Sequence, residues 1–569
     1  MFSFSRRSAY QQGKLPHRLV LVLLLLIAVL SVFPTLRLLF QALMDLSAGE
    51  NSSFIKVFSQ SNTWRAFWNS LLSSFLAMLV SLFLGLTVAF LISLTDIRGK
   101  AWWIFLFMLP MMLPPQVMAL SWLQLMGPNS VLLKSIGMAP ALGSPQPLYS
   151  LWGIVLLMGI QHAPLVFLIL RVNLAALPAD LMEAARLSGA GQRDLVFDMV
   201  LPLCKNAIWA AAAMSFMSGL GNFGIPAMLG IPVSYYVLPT LIYQKMSDFG
   251  QGMINEVANL SLLVALLAGV VVWVQHHFQS KILISNLSAR PFVFKLGAAR
   301  GLSELLLFIT LLLILVVPLL ALLSSSLVPV MGVPLTFDNY TFKSYEQIFM
   351  SQSVTWRAFK NSFVLSVGAA LVIAVMAILI SYYFVRQENR LTRFANALMD
   401  MPYAFPGVVL AIACILLFAK PLPLINYTLY GTLWILFFAY LSRFLCVGFK
   451  PVHSSMLQID VAMEEAAQLC GATFWQRLRD IVLPLSAPAA FAGFILVFLI
   501  AFNELTVSAL LWSARRETIG VLIFNMEESG EVITAAAVSV VVVALVLMLM
   551  LALNLMAKRL PKGVIPWQS

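Results

Sequence analysis

The chain alternates between long apolar runs and short polar segments. Twelve runs reach the roughly 20 residues that a helix needs to cross the hydrocarbon core of a bilayer. They lie near residues 19–43, 68–94, 102–126, 150–173, 204–229 and 253–278, and again near 302–327, 360–385, 394–419, 429–449, 486–512 and 532–557. The strands of a transmembrane β-barrel are short and alternate in polarity, and these runs do neither. The pattern predicts an all-α membrane protein with twelve transmembrane helices.

The polar segments repeat. Residues 63–70 read TWRAFWNS and residues 355–362 read TWRAFKNS, an offset of 292, and each copy leads into a long apolar run. Pro110 and Pro114 match Pro402 and Pro406 at the same offset. Residues 183–202, EAARLSGAGQRDLVFDMVLP, match residues 465–484, EAAQLCGATFWQRLRDIVLP, at an offset of 282. The offset changes between the third and fourth runs, where the first half has the longer loop, 127–150. Each half is therefore one set of six spans, and an even number per set makes the two repeats parallel. The first domain is expected over 1–278, a cytoplasmic linker over 279–301 and the second domain over 302–569.

Composition narrows the class. Of 569 residues, 61% are apolar and 10% charged, against roughly 25% charged in a soluble domain. Mean hydropathy is +0.94. A soluble body of this size needs more polar cover than the chain can supply. A soluble enzyme, a disordered chain and a disulfide-knit secreted domain are excluded. The net charge of +12 resembles that of a nucleic-acid binder, but in a membrane protein Lys and Arg mark the cytoplasmic side. With the N-terminus inside, 24 of the 35 basic residues fall on inner segments, from Arg6, Arg7, Lys14 and Arg18 through Arg443 to Lys558, Arg559 and Lys562. Both termini are expected in the cytoplasm, and no nucleic-acid partner is needed. The first run is too long for a signal peptide and lacks a clear cleavage site, so it reads as an uncleaved span. Cys204, Cys414, Cys446 and Cys470 lack metal-ligand spacing and read as packing residues.

The 282-offset pair carries the candidate chemistry. On this topology both copies are cytoplasmic loops. Glu-Ala-Ala favours helix, and the Gly six residues after the Glu turns it. An amphipathic turn follows: Leu195, Val196 and Met199 in one copy, Leu478, Ile481 and Val482 in the other. The closing Leu-Pro is expected at the start of the next span, where a missing N–H is tolerated. Each half thus gains a helix–turn–helix bracket under the membrane. Its small Ala residues allow close approach, and Glu183 and Glu465 suit a basic residue on a partner.

This pattern resembles the EAA loop of the permease subunits of ATP-binding cassette importers. Glu183, Ala184, Ala185, Gly189, Leu201 and Pro202 match it, with Met199 at the Ile position. Glu465, Ala466, Ala467, Gly471, Ile481, Leu483 and Pro484 match it throughout. The resemblance covers nearly the whole chain, as a fused pair of type I permease domains. It implies that each bracket is a coupling helix seated in a cleft of a cytoplasmic ATPase. Two ATPase copies would carry ATP and Mg, a periplasmic binding protein would deliver substrate, and alternating access would move it across a bacterial inner membrane. The chain has no G-x-x-x-x-G-K-[ST] match, hence no P-loop, and neither catalytic residues nor a bound cofactor or metal are expected.

Polar groups inside spans are costly and point to function. Asn222 and Asn503 occupy near-equivalent places in the fifth and eleventh runs, and Glu504 follows. All three are expected to line the pathway, where oxygen donors suit a hard cation. Pro110, Pro114, Pro402 and Pro406 read as helix kinks. The segments GNFGIPAMLG (221–230) and NELTVSALLWS (503–513) are similar to the ferric-iron branch of these importers, which makes Fe(III) the expected substrate. Organic phosphates or phosphonates, thiamine and polyamines remain open. The rival class is an ion-coupled secondary transporter with two parallel six-span repeats, which has no use for docking brackets.

Overall fold

The computed structural model describes residues 16–47, 52–247, 252–278, 292–421 and 426–556. Linker residues 279–291 and the basic residues Arg6, Arg7, Lys14, Lys281, Arg290, Lys558, Arg559 and Lys562 lie outside the described residues.

The described residues are helical, apart from loops and one isolated bridge between Thr95 and Phe294. The first half contains α1 (Arg18–Leu46), α2 (Ser61–Leu94), α3 (Lys100–Met112), α4 (Pro115–Met126), α5 (Leu151–Ala175), α6 (Ala179–Leu187), α7 (Gln192–Gly221), α8 (Gly224–Gly230), α9 (Leu238–Ser247) and α10 (Met253–Phe278). The second half contains α11 (Ala299–Ser326), α12 (Ser353–Arg386), α13 (Arg390–Ala404), α14 (Gly407–Phe418), α15 (Leu433–Met456), α16 (Val461–Leu469), α17 (Phe474–Phe502), α18 (Ser508–Leu511), α19 (Ile519–Glu528) and α20 (Val532–Met556). Each of these elements has its counterpart ten numbers later, and the short helices Ser53–Ser59, Val131–Ser135 and Lys343–Glu346 lie in the loops between them.

Among the described residues ten helices are long and apolar enough to span, and three helix pairs are sharply bent, two of them in the third and ninth runs and the third, Gly224–Val233 with Leu238–Ser247 (70°), after the fifth. The chain turns by 99° between α3 and α4 and by 103° between α13 and α14. Leu113 and Phe405, each before a proline, share φ −78° and ψ 143°. A proline disfavours helical backbone in the residue before it. Pro110 and Pro402 stay inside α3 and α13, whereas Pro114 and Pro406 stand just ahead of α4 and α14.

The Leu-Pro pairs behave differently from the sequence expectation. Helices α7 and α17 begin well before them and run through them continuously. A widened π-turn precedes the proline in both, at Leu195–Val200 and Leu478–Val482. The same device precedes Pro34 in α1 and Pro318 in α11. Widening relieves the clash between the proline ring and the carbonyl four residues back. In α1 that carbonyl is Leu30, and it accepts instead from the Ser442 hydroxyl of α15 at 2.5 Å.

The fifth and eleventh runs also stop early, at Gly221 and Phe502. Asn222 and Glu504 each turn a side-chain oxygen to a backbone N–H three residues on, at Ile225 and Val507. Such a cap competes with continued helix, so the runs end there and short buried helices follow.

Packing groups the helices into two compact units that cut across the repeat. One comprises the described residues of 1–44, 357–518 and 550–556, so α1 joins α12 to α18. Within it α1 packs on α13 and α15, and α15 on α17. There Gly448 of α15 leaves room for Ile373, whose Cγ2 would lie 2.4 Å from an added Cβ. The other unit comprises the described residues of 45–356 and 519–549. Its core is α2 against α5 with α7 on both, while α11 and α19 pack on α4. The Ser81 hydroxyl donates to Gly159 across the α2–α5 crossing at 2.9 Å. Small residues at such crossings let backbones approach closely in the absence of water.

Candidate functional site

The two brackets are the same local structure. Helices α6 and α16 start and end 282 residues apart. In the first, the Gly189 N–H donates to Arg186 and the Ala190 N–H to Ala185. In the second, the Gly471 N–H donates to Gln468 and the Ala472 N–H to Ala467. This paired bonding is the Schellman ending, which needs a left-handed residue. Gly189 and Gly471 supply it, with φ of +93° and +87°. No atom lies within 4 Å of where their Cβ would sit, so the backbone alone requires glycine.

The motif residues are presented outward. Glu183, Ala184, Glu465 and Ala466 are exposed, while Ala185 and Ala467 are half-buried. Leu201, Pro202, Ile481, Leu483 and Pro484 are partly or fully exposed within α7 and α17. Leu187 and Leu469 stand at equivalent positions, and each is 90% exposed. The same fully exposed leucine thus recurs at one register position in both brackets. Motif spacing gave no weight to these two leucines, because they follow the helix rather than the signature residues. Equal register in the two copies was the available signal.

The first bracket meets the linker. The Phe294 N–H donates to the Leu94 carbonyl at the end of α2, at 2.6 Å. The Arg186 guanidinium lies over the rings of Phe292 and Phe294, at 4.8 and 5.6 Å. The Leu296 N–H donates to Asp96 at 3.0 Å, and Arg300 approaches the same carboxyl at 3.7 Å. The donated Leu296 N–H, with a smaller contribution from Arg300, holds the Asp96 carboxyl below its ordinary range. Between bracket and linker lies a cavity of about 740 Å³, lined by Glu183, Arg186, Gln192, Phe292, Val293 and Lys295 among others.

The helix breaks hold the membrane-level polar groups. Asn222 donates to the Gln161 amide oxygen at 2.9 Å. Glu504 lies 3.7 Å from Arg443. Both pairs stand at the 282 offset, so the counterpart of Asn222 is Glu504 and not Asn503. The Asn503 amide donates instead to Leu499 within α17. Arg443, counted on the inner segments above, lies within α15. Gly407 makes room for it, since an added Cβ would sit 2.3 Å from the guanidinium. One half therefore carries a neutral amide pair and the other a buried ion pair, and each pair is electrically balanced. Among the described residues no cluster of His, Cys, Asp or Glu is arranged to hold a metal ion.

Comparison with known proteins agrees with the duplicated plan. The family described as binding-protein-dependent transport system inner membrane component matches twice, over residues 81–284 and 366–565. A probable ABC transporter permease protein of Sinorhizobium fredii is 27% identical over 71% of each chain. A putative ferric transport system permease protein of Haemophilus influenzae is 26% identical over 91% of this chain and 80% of its own. A ferric transport system permease of Actinobacillus pleuropneumoniae is 24% identical over 94% of this chain and 77% of its own. Among solved structures, a bacterial ABC transporter importing the acidic polysaccharide alginate aligns over 47% of this chain and 98% of its own, with 19% identity and a TM-score of 0.37.

Proposed function

Because the chain belongs to the family of inner membrane components of binding-protein-dependent transport systems, we propose that it forms the translocation pathway of a ferric-iron importer. Membership makes it a multi-pass permease subunit, a transport component that works with an ATPase and a substrate-binding protein. Fe(III) is the finer reading. What supports it is coverage: the two ferric permeases align over more than nine-tenths of this chain. A spermidine/putrescine permease of Escherichia coli, 26% identical, aligns over 84% of its own length but over 40% of this chain.

In this reading the brackets face the cytoplasm, as do both termini. Each receives one copy of an ATPase, which holds ATP and Mg. Glu183 and Glu465 with their flanking alanines form the docking surface, and Leu187 and Leu469 supply its apolar contact. Closure of the ATPase pair moves the brackets, and Asn222, Asn503 and Glu504 line the pathway.

The test is reconstitution in liposomes with the cognate ATPase and binding protein. ATP-dependent accumulation of ⁵⁵Fe(III) is expected, and it should be lost in Glu183→Ala/Glu465→Ala through weaker ATPase association. Accumulation of spermidine, a phosphonate or thiamine without iron would overturn the substrate. Full association and coupling in the double variant would overturn the docking role.

A further inference from the structure

We infer that Glu464, one residue ahead of the second EAA sequence, is a positioning residue that ties its bracket to α12 through a buried ion pair. The two brackets are thereby anchored by different forces. The inference rests on the coupling role proposed above.

Glu464 is 3% exposed and Arg386 8%. Arg386 is the last residue of α12, and its Nη2 lies 2.7 Å from Glu464 Oε1 and its Nε 2.8 Å from the same atom. One turn earlier, the Tyr382 hydroxyl donates to Glu464 Oε2 at 2.7 Å. Arg386 also donates to the Ile459 carbonyl at 3.2 Å, just ahead of α16. Both carboxylate oxygens are therefore held, and the donors all stand on the end of one 34-residue helix.

The first half has none of this. Helices α2 and α12 have equal length and start 292 residues apart, and α6 and α16 start 282 apart. In that register Arg386 becomes Leu94, Tyr382 becomes Phe90 and Glu464 becomes Met182. Leu94 and Met182 are 1% and 0% exposed. Arg477, beside the second bracket, becomes the buried Leu195. The linker completes this apolar site, with the Phe294 ring 5.7 Å from Phe90.

The two anchors respond differently to force. Apolar contact is non-directional and lets surfaces slide. Charge-assisted hydrogen bonds fix distance and angle, and removing one partner of a buried pair leaves an uncompensated charge. Motion of the second bracket should therefore reach α12 undamped, whereas the first bracket shares its motion with the linker.

The experiment uses the full permease–ATPase complex. Glu464→Met/Arg386→Leu gives the second half the residues of the first. It should accumulate, bind ATPase and hydrolyse ATP, while ⁵⁵Fe(III) moved per ATP falls about fivefold or more, the low end of allosteric coupling. Glu464→Gln keeps the shape and part of the hydrogen bonding, and should recover part of that loss. A second readout is independent of substrate: spin labels on the exposed native Cys470 and on Gln387→Cys. Their distance distribution should stay narrow through the ATP cycle, and should widen in the double variant. If the double variant does not accumulate, Tyr382→Phe and Glu464→Gln are read in the same way. Unchanged distributions and transport per ATP in every accumulating variant would overturn the inference. That outcome, with docking still lost in Glu183→Ala/Glu465→Ala, would leave the coupling role standing.

Discussion

At the scale of single residues, the two halves solve one problem with different chemistry. At the helix breaks, Gln161 with Asn222 needs only a hydrogen bond, while Arg443 with Glu504 needs its charges to match. The ionic pair is mostly buried, with side-chain exposures of 14% and 8%. Removing one member of such a pair typically costs about 3–5 kcal/mol, because the other charge is stranded. Glu504→Asn alone should therefore lower the thermal midpoint of the purified protein sharply. Arg443→Gln/Glu504→Asn, which copies the first half, should recover most of the loss. Equal midpoints for single and double variants would show that the pair is not energetically coupled. Sequence reading found Asn222 and Glu504 because polar residues stand out in apolar runs. It matched Asn222 to Asn503 because identity of residue type outweighed register. It also missed Glu464, since a second glutamate beside a motif glutamate carries no signal until its burial is seen.

At the scale of elements, most helices were legible, and the interruptions were legible only where prolines marked them. A run of apolar residues specifies length but is silent about direction. The proline pairs suggested bends in the third and ninth runs, and the chain there turns through about a right angle. The Leu-Pro pairs read as helix starts, yet the helices run through them, because a π-turn accommodates the proline locally. The strap formed by Phe292 to Leu296 was invisible in the sequence, since its hold on α2 and Asp96 uses the backbone N–H groups of Phe294 and Leu296. Its hold on Asp96 has a pH signature. The carboxyl is lowered from 3.8 in the folded chain, so its contribution is fully present above that value and is lost as pH falls through the lower, folded value. Exchange of the Leu296 amide should therefore stay slow relative to its intrinsic rate from neutral pH down to about 4, and Asp96→Ala should speed it already at neutral pH. Equal exchange in both proteins would place the hold elsewhere.

At the scale of the whole molecule, repeat and packing divide the chain along different lines. The sequence repeat follows the chain halves. The compact units instead join α1 to the second-half helices, and α11, α19 and most of α20 to the first-half helices. Neither half therefore contains a complete unit. Residues 1–285 expressed alone should be degraded or protease-sensitive, and should be protected when residues 286–569 are made in the same cell. Protection of the first fragment by itself, in limited proteolysis of membranes, would contradict that division.

The π-turn at Pro34 also has a consequence in time. The Leu30 carbonyl that it frees accepts a hydrogen bond from Ser442, a residue made some four hundred positions later. At roughly 5–20 residues per second, synthesis separates the two by on the order of 20–80 seconds. For that interval α1 sits in the bilayer without the Ser442 hydroxyl on that carbonyl and without its final neighbours. Helix α1 is thus made long before the partner that completes it, and the newborn permease must keep it waiting without letting it pair with anything else.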